Sequence, residues 1–232
     1  LGTSAPRIGA RRGAQELGID GTGSYVAVID TGVDYTHAFL GGPGDPAAFQ
    51  FGSQNGNGER IDDQWLGKPL FPNDKVVGGW DFVGPRYNPP HICTDAQMNA
   101  GQCTNIPEPD PDPLDAGGHG SHCAGIIAGK AIPAIPDGIA PGGGIVGLKI
   151  YGTNGGDEAA DVLVDAIEWA YRVNVKIEER GVRPPRVDAI SISLGENWGQ
   201  GSRLFDEAVS STVDSGAIIV SSAGNASDQP FV

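Results

Sequence analysis

Two histidines and a cysteine fall within five residues of the segment GGHGSHCAG, 117–125. Imidazole and thiol at that density suit one of two chemistries. They can ligate a soft metal ion, or one imidazole can serve as the general base of a proton relay. A zinc site would draw on His119, His122, Cys123 and the pair Cys93 and Cys103. Neither a C-x-x-C knuckle nor an H-E-x-x-H helix accompanies them, so the spacing favours the relay, with His122 as a packed or hydrogen-bonded neighbour of the base.

A relay needs elements that hold its members in place. Tyr25 to Ile29, YVAVI, is a short apolar run between turn-forming residues, which predicts a strand buried on both faces of a parallel sheet. From Gly41 to Pro113 the chain is rich in Gly, Pro, Asn and Asp and reads as long loops, interrupted by a short surface strand within Asp74 to Gly84. After His119 the pattern turns regular. HGSHCAGIIAG reads as a buried helix ending at Gly129, and GGIVGLKIY as the next strand. Ala159, Val162, Leu163, Ala166, Ile167, Ala170 and Tyr171 recur at helical steps, predicting an amphipathic helix closed at Gly181. Val187 to Gly195, Arg203 to Gly216 and Ala217 to Asn225 then read as strand, helix and strand. That alternation makes a parallel sheet with right-handed crossovers.

Open parallel sheets gather their functional residues outside the carboxyl ends of the strands. Asp30, the segment Ser193 to Gly195 and Asn225 all stand at such ends. His119 instead opens a helix, whose positive end disfavours a protonated ring. A carboxylate must offset that charge when the ring takes a proton, and Asp30 is the natural candidate.

The segments VAVIDTGVDYTHAFL, GHGSHCAG, LKIYGTNGG, AISISLG and SSAGN, in this order, resemble the subtilisin-like serine proteases, or subtilases. The resemblance covers nearly the whole chain from Gly9 onward, and the stretch around NDKVVGGWDFVG resembles the larger secreted subtilases that carry a protease-associated domain. It implies an α/β fold: a mostly parallel central sheet flanked by helices in three layers, incomplete at the C-terminus. Residues 1–232 would be the N-terminal part of a catalytic domain, with long loop insertions at about 41–74 and 84–117. The implied activity is serine-type endopeptidase action on polypeptides by acyl transfer. Asp30 matches the triad carboxylate, His119 the general base and Asn225 the side-chain donor of the oxyanion hole. Gly155, Ser193, Leu194 and Gly195 match positions whose backbones pair with an extended substrate, and Ser222, Ala223 and Gly224 match one wall of the specificity pocket. The family's chemistry requires no cofactor. Structural calcium is common in it, and Asp62, Asp63, Asp110, Asp112 and Asp115 lie in loops, but their spacing fits no loop motif and assigns no ligands.

One departure stands out. The family's nucleophile is the serine of a Gly-Thr-Ser-Met-Ala motif that follows the oxyanion asparagine, and no such motif follows Asn225. GTSAP at Gly2 to Pro6 has the wrong order, and three arginines follow where a buried helix would be needed. The expectation is therefore a nucleophile beyond Val232, with the remainder of the protease as partner and a segment that is inactive and poorly stable by itself. The alternative is a peptide-binding protein that keeps the scaffold and lacks the serine.

Composition narrows the setting. Lys and Arg number 15 against 29 Asp and Glu, a net charge of -14, which disfavours nucleic acid and anionic membranes as partners. No apolar run approaches the roughly 18 residues of a membrane span. The N-terminal LGTSAPRIGARRG lacks the apolar core of a signal peptide, so any export signal would lie outside this sequence. Cys93 and Cys103 close a short polar loop of the kind a surface disulfide staples, which fits a secreted protein. Cys123, in an apolar run, reads as a buried free thiol in the core.

Overall fold

A computed structural model describes residues 2–55, 64–88, 93–133, 135–152, 160–178, 180–195 and 202–225. Two N-terminal helices, α1 (Ser4–Arg7) and α2 (Ala10–Leu17), lead into β1 (Tyr25–Asp30). There follow α3 (Pro46–Asn55), the two short strands β2 (Gln64–Trp65) and β3 (Lys68–Pro69), β4 (Val76–Asp81), α4 (Asp95–Asn99) and α5 (His119–Ala128). The chain ends in the alternation β5 (Gly144–Lys149), α6 (Ala160–Asn174), β6 (Ala189–Ile192), α7 (Arg203–Asp214) and β7 (Ile218–Ser221).

Among the described residues five strands form one sheet in the order β4-β5-β1-β6-β7, and every pairing in it is parallel. β1 sits at its centre, bonded to β5 on one side and β6 on the other. Its side chains alternate between two cores, as a strand covered on both faces requires. Ala27 and Ile29 join α6 and α7 through Trp169, Ile167 and Ala208, while Val28 joins α5 and the chain before it through Ala124, Ala128, Val33 and Leu40. The result is a sheet flanked by helices on both faces. By the same alternation Asp30 points to the side of α5.

Several expected elements take a different form. The stretch Asp74 to Gly84 is no surface strand. β4 pairs with β5 along the sheet, Val76 and Asp81 are fully buried, and a bulge between Val76 and Gly78 fits it to its neighbour. The expected loops contain helices: α3 lies in the first, and α4 in the second opens with a Thr94–Gln97 capping box. α6 ends at Asn174 rather than running to Gly181, because Lys176 adopts φ 64° and the Asn174 amide donates to the Val187 carbonyl and Ser215 Oγ. α5 is apolar on one face only; Gly120, Ala124, Gly125 and Ala128 are buried and His122 is exposed. At the far edge of the described sheet β7 leaves Ile218 and Val220 more than 60% exposed, with relative accessibilities of 66% and 61%.

Candidate active site

The register of the sheet sets Asp30, Lys149 and Asp81 side by side at the carboxyl ends of β1, β5 and β4. Asp81 is buried, accepts Val83 N and Gly84 N on Oδ1, and takes the Lys149 ammonium on Oδ2. The Lys149 cation is thereby committed to Asp81. The proline-rich run then crosses this end of the sheet, fixed by Asp110 N to Asp81 O and by Val33 N to Pro113 O, both 2.9 Å.

That crossing buries more acid than it neutralises. Burial, and then the charge of Asp81, push the Asp110 carboxyl up to about 7. Burial pushes Asp112 up to about 6, against the hydrogen bond that Tyr35 Oη donates to it. Asp110 therefore has a folded-state value above its ordinary 3.8. Between the two values the folded chain keeps a proton that the unfolded chain has lost. Its contribution to stability is complete below the unfolded value and is lost as pH rises through about 7. Asp110→Asn retains an acceptor for Asp112 N and removes the charge. The variant is expected to be more stable than the parent at pH 8 by up to about 4 kcal/mol, with the difference closing toward pH 4. Urea unfolding at both pH values checks this, and an equal gain at both would contradict it.

On the other side of Lys149, Asp30 meets His119. The imidazole Nδ1 lies 2.8 Å from Oδ1 and 2.9 Å from Oδ2, and Oδ1 also accepts Thr31 N at 2.7 Å. The carboxylate side chain is 1% exposed and the imidazole 55%. A buried carboxylate thus grips one ring nitrogen of a half-exposed imidazole. This fixes the tautomer with its proton on Nδ1 and a lone pair on Nε2, the form a general base needs.

The approach is close enough to constrain the sequence. Gly120 packs against Asp30: a side-chain carbon there would lie 3.0 Å from Asp30 Cβ and would overlap the Gly32 carbonyl oxygen. Gly118, at the N-cap of α5, has φ 86°, a left-handed turn that aims the helix at the strand end. Its lack of a side chain means that a more distant residue must satisfy the first turn. Asp115 does so, accepting Gly117 N, Gly118 N and Ser121 N, while Thr31 Oγ1 accepts Gly120 N. In the sequence Asp115 stands out only as one of the loop acids weighed for calcium, and Ser121 and Thr31 not at all. The signal available was an acid upstream of a glycine pair and a hydroxyl in the first helical turn, a dispersed form of an N-cap.

Cys123, one turn after His119, is half-buried: it packs against the core on the α5 side of the sheet, as expected, and also shares a hydrogen bond with Ser193 at the edge of the site. Burial pushes its thiol above the usual value, helped by the charges of Asp30 and Asp115. It is held as a thiol, which is a poor nucleophile. Ser193, Leu194 and Gly195 follow β6 on this flank. Ser222 N donates to Ile192 O, and Ser222 Oγ donates to Leu194 O at 2.9 Å, tying the segment after β7 to the one after β6. Ala223, Gly224 and Asn225 continue from there, all exposed. Gly155 lies outside the described residues.

The zinc set is not assembled. Cys93 and Cys103 form a disulfide, and His122 is not packed against the base but lies exposed, lining a cavity with His37, Phe39 and Phe49. Asp30, His119 and Cys123 place one ligand atom each within 4.8 Å of one another among the described residues, with the imidazole Nδ1 already taken by Asp30. For calcium, Asp115 gives its oxygens to four donors and Asp112 to Tyr35 and Leu114 N. With Asp110 these residues form no shared oxygen cage. Asp62 and Asp63 lie outside the described residues.

The described residues thus form an α/β scaffold, a parallel sheet flanked by helices, in which a buried carboxylate at the end of the central strand grips a half-exposed imidazole. The sequence matches the profile of the Subtilase family over residues 21–231, and the chain belongs to that family. It is 34% identical over 138 residues to the subtilisin-like serine protease Pen ch 18 of Penicillium rubens, covering 60% of this chain and 26% of that protein. Pen c 2 of Penicillium citrinum is 32% identical over 142 residues, 60% of this chain and 28% of its own length. Thermitase of Thermoactinomyces vulgaris is 26% identical over 210 residues, 89% of this chain and 49% of its own. The chain thus spans from about a quarter to a half of the curated relatives it matches.

Proposed function

We propose that this chain supplies the carboxylate, base and oxyanion-donor half of a serine endopeptidase that cleaves polypeptides by acyl transfer. The observation that carries the reading is His119 Nδ1 held between both oxygens of buried Asp30 on an imidazole that is itself 55% exposed. In that reading Nε2 takes the proton of a serine hydroxyl as it attacks the scissile carbonyl, and Asp30 stabilises the imidazolium that forms. The proton then passes to the leaving amine. The Asn225 amide would donate to the oxyanion as it develops, a contact needed only in the transition state. The backbones of Gly155 and of Ser193 to Gly195 would pair with the substrate as an added strand, with Ser222, Ala223 and Gly224 walling the pocket. The nucleophilic serine is assigned to sequence following Val232, in keeping with the larger size of the relatives.

The same reading makes the partners polypeptides and the chemistry free of any cofactor. The Cys93–Cys103 disulfide supports an oxidising compartment, hence secretion. Among the described residues no helix is long and apolar enough to cross a membrane. The test is a fluorophosphonate probe applied to the gene product that carries this sequence, with His119→Ala as control. Labelling of one serine in the parent and its loss in the variant are expected. A parent that binds peptides and takes no label would instead be a non-catalytic relative.

A further inference from the structure

We infer that Asp115 and Ser121 are positioning residues, which act through the first turn of α5 to hold His119 in register with Asp30. The inference rests on the protease reading for its kinetic part only. Asp115 is 2% exposed, yet among the described residues no lysine or arginine forms an ion pair with it; its partners are donors of the turn and helix. Oδ1 accepts Gly117 N and Gly118 N, both at 2.8 Å, and Oδ2 accepts Ser121 N at 2.9 Å and Ser121 Oγ at 2.6 Å. His119 lies between these four contacts in sequence, so its backbone is clamped from both sides.

The clamp is also anchored to β1. The Ser121 hydroxyl that donates to Asp115 accepts Asp34 N at 2.8 Å, and Thr31 Oγ1 accepts Gly120 N at 2.9 Å. Two polar struts thereby join the segment after Asp30 to the turn that carries His119, one from Thr31 and one from Asp34 through Ser121 to Asp115. Helix starts leave their first N–H groups unpaired, and here Gly118 has no side chain to cap them. The upstream carboxylate takes that role. All four partners of Asp115 donate, so an acceptor-only carboxylate fits the site, and an amide of the same shape would turn an NH2 toward at least one donor.

A relay of this kind is sensitive to small displacements, since a shift of about 1 Å in a catalytic group lowers rate by about 10²-fold. Asp115→Asn and Ser121→Ala, made in the gene product that carries this sequence, are expected to lower kcat by about 10- to 100-fold per fluorophosphonate-titrated site with KM nearly unchanged. Ser121→Thr keeps the hydroxyl, and Ser121 lines a cavity of about 770 Å³ that leaves room for a methyl group. It is expected to restore kcat. Independently of any substrate, the downfield proton resonance of His119 Nδ1–H should broaden or vanish in Asp115→Asn and Ser121→Ala and persist in Ser121→Thr. If kcat per titrated site and the resonance both match the parent, or if Ser121→Thr is as impaired as Ser121→Ala, the inference is wrong. A parent that hydrolyses nothing would defeat the protease reading, and the resonance alone would then decide the positioning role.

Discussion

Replacing His119 by alanine in the gene product that carries this sequence is expected to lower kcat by about 10⁶-fold, and Asp30→Ala by about 10⁴-fold, with KM nearly unchanged in both. These magnitudes are those of subtilisin itself, a member of the same family. The physical reason for the order is visible in the site. On the protease reading, nothing accepts the serine proton without the imidazole, whereas without Asp30 the imidazole remains but loses its fixed tautomer and the partner for its positive form. Asp30 is also the acceptor of Thr31 N, so its loss loosens the start of the loop that Thr31 uses to hold α5. Steady-state kinetics on a peptidyl nitroanilide, corrected for any wild-type contamination, measure both. Activity surviving in His119→Ala would mean that the base is elsewhere.

Gly120→Ala is expected to act against the helix propensity scale. In a helix interior alanine exceeds glycine by about 1 kcal/mol. Here the added carbon would meet the Gly32 carbonyl oxygen and the Asp30 side chain, neither of which is the free end of a flexible group. α5 must therefore back away from β1, and the Asp30–His119 contact must lengthen. The expected outcome is a net loss of about 2 kcal/mol in stability, typical of overpacking in a tight core, with a fall in kcat of about 10²-fold. Thermal melts and kinetics on the same preparation check both. A variant more stable than the parent with full activity would show that the helix and strand have slack at this point.

The sequence made the central layers legible because their signals are local. β1, β5, α6 and α7 follow from apolar periodicity and the flanking glycines and caps, and Asp30 and His119 follow from strand-end and helix-start positions. β4 was harder. Its GG pair and short length suggest a surface segment, and only its pairing with β5 and the overlying proline-rich run make it a buried edge of the main sheet. α3 begins at a proline and carries a glycine, with its buried Gly52 against Tyr35 and Leu114, so tertiary contact and not propensity supports it. Cys123 packs against the core as its apolar neighbours suggest, and its place one turn after His119 also puts it on the site's flank. The positioning role of Asp115 and Ser121 is illegible in the sequence for a similar reason. Each is an ordinary turn or cap residue until the fold brings the segment after β1 against it.

The two halves of the base are 89 residues apart in sequence. Neither half has any chemical power before β1 is paired with β5 and α5 has docked on the sheet, since an exposed imidazole without a buried carboxylate is an ordinary histidine. Contacts of such long range form late, after the entropy of closing the intervening loop has been overcome. On the protease reading, a nascent or partly unfolded chain cannot digest its neighbours, since the base is assembled only with the completed sheet.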